Sequence, residues 1–207
     1  MLEQRRLLRL IFSAALISAC LTVSEVSLAG ITPEQANAML GAAGSGDHDA
    51  LQQLQAAATS GDPLAQYDLG SLYTDGRGVP QDDLQAAIWY RKAADQGNQN
   101  AQNTLGHLYD AGQGVAQNDV QAAGWYRKAA EQGLADAQLQ LGIMYAYGRG
   151  VPRDYQQAIK WLTIAKENGA PLANVTLQDC YTVATQAQAT KGQKLAEAWW
   201  AAHHRGE

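Results

Sequence analysis

The sequence predicts an all-α protein built as a solenoid of stacked antiparallel helix pairs. Three observations predict it. The first is a fixed step of 36 residues. It relates Gly61, Gly97, Gly133 and Gly169; Ala65, Ala101, Ala137 and Ala173; Leu69, Leu105 and Leu141; and Trp89, Trp125 and Trp161. A period of this size marks supersecondary units that bury their apolar faces only by stacking on one another. The second is helical spacing within each unit. Ala65, Leu69, Leu72 and Tyr73 share one face of a first helix over about 63–75, and Ala86, Trp89, Tyr90 and Ala93 share one face of a second over about 83–96. The third is the pairing of small and large residues: Ala lets two backbones approach and the neighbouring Trp fills the groove.

Taken in chain order, residues 1–29 read as a signal segment. Arg5, Arg6 and Arg9 precede the apolar run LIFSAALISACLTV, and Ser27 and Ala29 provide small residues for cleavage after Ala29. Ile17-Ser18-Ala19-Cys20 offers a rival, a bacterial lipobox in which Cys20 is lipidated and becomes the N-terminus. The apolar run falls short of the ~20 residues a spanning helix needs, so no membrane span is expected in the mature chain. Residues 30–60 read as N-terminal capping helices. Thr32-Pro33-Glu34-Gln35 starts a short helix, and DHDALQQLQAAATS (47–60) repeats only the second-helix pattern.

Three full copies follow, at 61–96, 97–132 and 133–168. In each, Asp82, Asn118 or Asp154 stands just before the second helix with Gln85, Gln121 or Gln157 three residues on. That is capping-box spacing, with the Gln expected to reach back to the cap. Gly97 and Gly133 suit a left-handed helix end, and Pro63 and Pro171 a first helical turn. Gly70, Gly106 and Gly142 lie inside first helices, where Gly costs about 1 kcal/mol against Ala, which predicts a helix crossing too close for a Cβ. Gly76-x-Gly78 and its copies form the turn between helices. No strand precedes that turn and no Lys-Ser/Thr pair follows it, so it is not a phosphate loop. Residues 169–207 read as a partial repeat and capping helix. Residues 172–187 form a fourth first helix with Ala173, Leu177 and Tyr181 in register. In QKLAEAWWAAHH, Leu195, Trp199 and Ala202 form the covering face.

These columns, from Ala-x3-Leu-Gly-x2-Tyr through Gly-x-Gly-Val to Ala-x2-Trp-Tyr-x2-Ala-Ala-x2-Gly, resemble the Sel-like repeat (SLR), a cousin of the tetratricopeptide repeat. The resemblance implies a right-handed α/α solenoid used mainly as a protein-interaction scaffold, with first helices on the concave side. Copy three departs from the pattern, with Trp161-Leu162 for Trp-Tyr and Lys166 for Ala. The paired Cys of some secreted relatives are missing. Some secreted relatives bind or cleave β-lactams, so the resemblance also implies an alternative, an envelope hydrolase of β-lactam or peptidoglycan-related type.

The chemistry the residues offer is sparse. There is no H-E-x-x-H, C-x-x-C, G-x-S-x-G or S-x-x-K, so no enzyme, cofactor or metal is expected. The net charge of −5 argues against nucleic acid as a partner. His203 and His204 point apart on a helix and read as a solvated tail. Cys180 reads as a buried small hydrophobe. Asn174-Val175-Thr176 is a glycosylation sequon without a reason to act as one. Function is therefore expected on the surface. The first-helix columns that vary between copies are the candidate binding face for a protein or peptide in the periplasm or outside the cell: Asp68, Ser71 and Asp75; Asn100, Asn103, Thr104 and His107; Asp136, Gln140, Ile143 and Tyr147. The alternative location is the membrane surface, through lipid on Cys20.

Overall fold

The protein is described from a computed structural model, which covers residues 30–203. The signal segment, Cys20 and His204 lie outside the described residues. Ten α-helices and no strand occur among them: α1 Pro33–Gly44, α2 His48–Ser60, α3 Pro63–Asp75, α4 Asp83–Asp95, α5 Gln99–Ala111, α6 Asp119–Glu131, α7 Ala135–Tyr147, α8 Tyr155–Glu167, α9 Ala173–Val183 and α10 Gln186–His203. Helix pairs α3/α4, α5/α6 and α7/α8 pack within themselves and each stacks on the next. The core therefore runs along the array as a chain of apolar clusters. Trp125 illustrates the stacking: it belongs to the second helix of copy two and packs with Ala86, Tyr90 and Ala93 of copy one.

The local signals account for most boundaries. Asp82, Asn118 and Asp154 accept hydrogen bonds from early helical N–H groups, at 3.0 Å from Gln85 N, 3.1 Å from Gln121 N and 2.8 Å from Gln156 N. The expected reach-back by Gln is not how these ends close. The N–H groups of Asp82, Asn118 and Asp154 already donate to the carbonyls of Tyr73, Tyr109 and Tyr145 on the first helices. A cap donor satisfied by the tertiary fold leaves a reciprocal Gln nothing to do. Complete capping boxes form outside the full copies, at Thr32 with Gln35 and at Thr185 with Gln188. Pro171 does not open the fourth first helix. That helix starts at Ala173, after a turn closed by Ala173 N–H to Ala170 O, and it ends at Val183 instead of 187.

The mid-helix glycines are required by contact. A Cβ on Gly70 would stand 2.9 Å from the Tyr90 ring, one on Gly106 2.7 Å from Tyr126, and one on Gly142 2.7 Å from Leu162. The second glycine of each turn has a role between copies. A Cβ on Gly114 would meet Asp83 O at 2.0 Å, and one on Gly150 would meet Asp119 O at 2.1 Å, so these two turns rest on the first residue of the preceding second helix, whereas Gly78 of copy one rests on Ala43 O near the end of α1. A further inter-copy device is a buried glutamine ladder. Gln66, Gln102 and Gln138 donate to the helix-end carbonyls of Ala58, Ala94 and Ala130 in the copy before, at 3.0–3.1 Å. They accept in turn from Gln96, Gln132 and Asn168 of their own copy, at 2.7, 2.7 and 2.8 Å.

The ends depart from the repeat. Helices α1 and α2 form a pair joined by Ser45–Asp47, much shorter than the Gly76–Asp82 turn of copy one. At the other end α10 lies mainly along α8 and meets α9 only at its start, through Ala189 beside Leu177 and Cys180 and Gln193 donating to the Tyr181 hydroxyl. Its buried face is Ala189, Gly192, Ala196 and Trp199; Leu195 is half-buried and Ala202 exposed. The expected face is rotated because the close crossing sits at Gly192, whose Cβ would stand 2.8 Å from Ile159. Trp199 covers Trp161 and Ile164. Ile164 occupies the column that holds exposed Lys92 and Lys128 in the other copies.

Candidate first-helix face and terminal cleft

The second helices of copies one and two each send one aromatic hydroxyl across their partners. The absent side chain at Gly70 lets the Tyr90 ring cross α3, and its hydroxyl reaches Ser71 Oγ at 3.1 Å and Thr74 Oγ1 at 3.2 Å. At Gly106 the Tyr126 ring does the same across α5, and its hydroxyl meets His107 Nδ1 at 2.8 Å. In copy three Leu162 replaces the tyrosine, and the position equivalent to Ser71 and His107 is Ile143, which packs in the same apolar cluster. Ser71, His107 and Ile143 therefore vary in step with what the second helix delivers to them. The sequence contains this pairing in its Tyr-Tyr-Leu column, and the sequence reading did not connect the two columns.

The eleven candidate residues do not share one environment. Asn100, Asp136, Asp75, His107 and Tyr147 are exposed; Ser71, Asn103, Thr104, Gln140 and Ile143 are half-buried. Asp68 is buried, at 6% exposure, and presents no open surface to a partner. Its place is covered because α1 packs against α3, while α5 and α7 have no equivalent neighbour over Thr104 and Gln140. Burial, with a smaller push from Asp62, raises the Asp68 carboxyl to about 6.

Copy two carries the most informative cluster. Asn103 Oδ1 is buried and has no hydrogen-bond partner among the described residues. One helical turn on, His107 stands edge-on to Tyr126, with ring centroids 5.1 Å apart. Desolvation of the ring lowers the His107 pKa, partly offset by Asp110 and Asp136. The Tyr126 hydroxyl is shifted upward by burial, so Tyr126 stays protonated where it shares its hydrogen bond with His107 Nδ1. Asp110 is held in an ion pair by Arg149 of the next copy.

Tyr147 belongs to a different surface. It lines a cleft of about 380 Å³ between α7, α8 and α9, with Arg153, Tyr155, Thr176, Asp179 and Val183. Beside it Leu172, just before α9, and Val175 and Val183 of α9 are exposed, since α10 lies mainly on α8 and leaves that side bare. Of this cleft the sequence offers only Tyr147 as a candidate site residue. The signal was present in α9, which carries apolar residues on both its inner side (Ala173, Leu177, Cys180) and its outer side. Cys180 is free and buried, and burial pushes its thiol up to about 11. His203 stacks on Trp199 at 4.0 Å and donates from Nδ1 to Trp199 O at 2.8 Å. Among the described residues no group of three or more His, Cys, Asp or Glu could hold a metal ion. No described helix is long and apolar enough to cross a membrane.

Comparison with known proteins places this architecture. The sequence profile of the Sel1 repeat matches residues 63–98, 99–134 and 135–169, a frame two residues later than the copies read from the glycine column. A Sel1 repeat protein from Oxalobacter formigenes is 40% identical, with a TM-score of 0.59, over 62% of this chain and 97% of that one. A protective antigen present in uropathogenic Escherichia coli strains, described as displaying an SLR fold, is 31% identical with a TM-score of 0.55 over 74% of this chain; the match spans 41% of the antigen. No curated protein matches the chain.

Proposed function

The chain belongs to the Sel1 repeat family, whose members generally act as protein-interaction scaffolds, and on that premise we propose that it is an exported scaffold binding a protein or peptide in the cell envelope. The observation that carries the reading is the Asn103–His107 cluster. A framework of repeated Gly, Gln and Trp columns holds an unpaired buried amide oxygen beside a neutral imidazole, on a first-helix face whose residues change from copy to copy. An unsatisfied buried acceptor costs about 1–3 kcal/mol, and rotation of the half-buried Asn103 side chain toward a partner's donor would recover it. Exposed Asn100 and Asp136 and half-buried Thr104 and Gln140 surround that point with further polar groups. Export is supported by the basic, apolar and small-residue segments of residues 1–29.

The test is affinity capture from envelope extract with the native chain and with Asn103, His107 and Gln140 all changed to Ala. A partner retained by the native chain and lost by the triple variant is expected. Unchanged partners would move the site elsewhere, and turnover of a chromogenic β-lactam by the purified protein would replace the scaffold reading with the hydrolase one.

A further inference from the structure

The start of the described chain is fastened to the first full repeat. Ile31 is buried with Leu54, Leu69 and Leu72, and its N–H donates to Asp62 Oδ2 at 2.8 Å. The other carboxylate oxygen, Oδ1, caps α3 by accepting from Leu64 N and Ala65 N at 3.0 and 2.9 Å. Gly30 approaches the same Oδ2 so closely that a Cβ on it would stand 3.0 Å away, and its φ of +72° is one that L side chains rarely adopt. The Gly30 nitrogen is one bond from that Cα.

The charges around this point are one-sided. Between Gly30 and Gly76 the sequence holds Glu34, Asp47, Asp49, Asp62, Asp68 and Asp75, one imidazole at His48, and no Lys or Arg. Asp68 is buried and close enough for Asp62 to disfavour its ionisation. Asp62 at the start of α3 and buried Asp68 within it are near carboxylates to which α1, α2 and α3 bring no Lys or Arg; Arg77 packs at Gly44, the C-terminal end of α1, and Arg91 and Lys92 of α4 lie over Tyr109 and Trp89.

We propose that the fold contains a receptor for its own processed N-terminus: the α-ammonium of Gly30, released by cleavage after Ala29, binds the Asp62 carboxylate. This rests on the export reading, under which a signal peptidase directs water onto the Ala29–Gly30 amide. The bond breaks to an Ala29 carboxylate on the leader and a Gly30 amine, which takes up a proton at neutral pH. Before cleavage that nitrogen is an uncharged amide. Processing therefore adds one positive charge at the place where the unit has only negative ones. The ammonium attracts Asp62 and relieves its repulsion of Asp68.

The full chain, expressed with its leader in an exporting bacterium and labelled with 13C-glycine, tests this in two steps. N-terminal sequencing of the recovered protein reads the cut; a start at any residue other than Gly30, or an acylated Cys20, defeats the cleavage reading and the receptor with it. With Gly30 first, the Gly30 carbon signals are followed against pH. The amine is expected to titrate about one unit above the ~7.7–8.0 of a free α-amino group. Asp62→Asn should remove that rise, and Asp75→Asn should keep it. Asn98 occupies the column of Asp62 and caps α5 in copy two, so the Asp62→Asn variant retains its helix cap. An unshifted amine, or a shift that survives Asp62→Asn, overturns the receptor while leaving export intact.

Discussion

Gly106 shows how much a single residue decides. The hydrogen at this position is the space through which the Tyr126 ring passes to reach His107. Gly106→Ala should destabilise by about 1–3 kcal/mol, the usual cost of overpacking, despite the better helix propensity of Ala; urea unfolding measures it. Gln102 is the polar counterpart. Gln102→Met keeps the length and removes both bonds, stranding the Ala94 carbonyl and the Gln132 amide. A loss of about 2 kcal/mol is expected from the same measurement. His107 sets a pH dependence. Its folded pKa is lowered, so below the unfolded value of ~6.5 the unfolded chain takes the proton more readily. The stability it contributes is whole above that pH and is lost as pH falls through the folded value. In His107→Gln, the drop in melting temperature between pH 7 and pH 5 should be smaller than in the native chain.

At the scale of the element, sequence and structure agree wherever a helix is specified by its own residues. The Asp82, Asn118 and Asp154 caps, the left-handed Gly97 and Gly133 and the Ala, Leu and Trp faces were legible because each is a local pattern repeated in three copies. Elements positioned by a neighbour were not. The reach-back of Gln85 was superseded by a carbonyl from the first helix, and the register of α10 was set by Gly192 meeting Ile159. The clue to α10 lay in Ile164, an apolar residue in a lysine column, which announces a covering helix outside the repeat. The candidate face was legible in part. Column variation found Asn103 and His107, but the burial of Asp68 depends on α1 and the cleft beside Tyr147 depends on where α10 goes. If α10 is the closing element, Trp199→Ala should cost about 3–5 kcal/mol by thermal or urea unfolding, as for a large buried aromatic.

For the whole molecule, stability is carried by interfaces between like neighbours. Excising residues 97–132 joins equivalent points of the repeat and should leave a helical, folded protein. It has one stacking interface fewer, so both the urea m-value and the midpoint should fall. An unchanged midpoint would mean that copies one and three do not rely on the middle one. Loops are usually where a protein can grow, yet the seven-residue turns here are held at both ends: in copy two by left-handed Gly112 and Gly114, seated on Asp83, at the start, and by Asn118 N–H on Tyr109 O at the finish. They behave as machined spacers between successive coils of a spring. One inserted residue would change the pitch felt by every later coil, so recognition in this array is free to diversify by exchanging side chains and is closed to diversification by lengthening its turns.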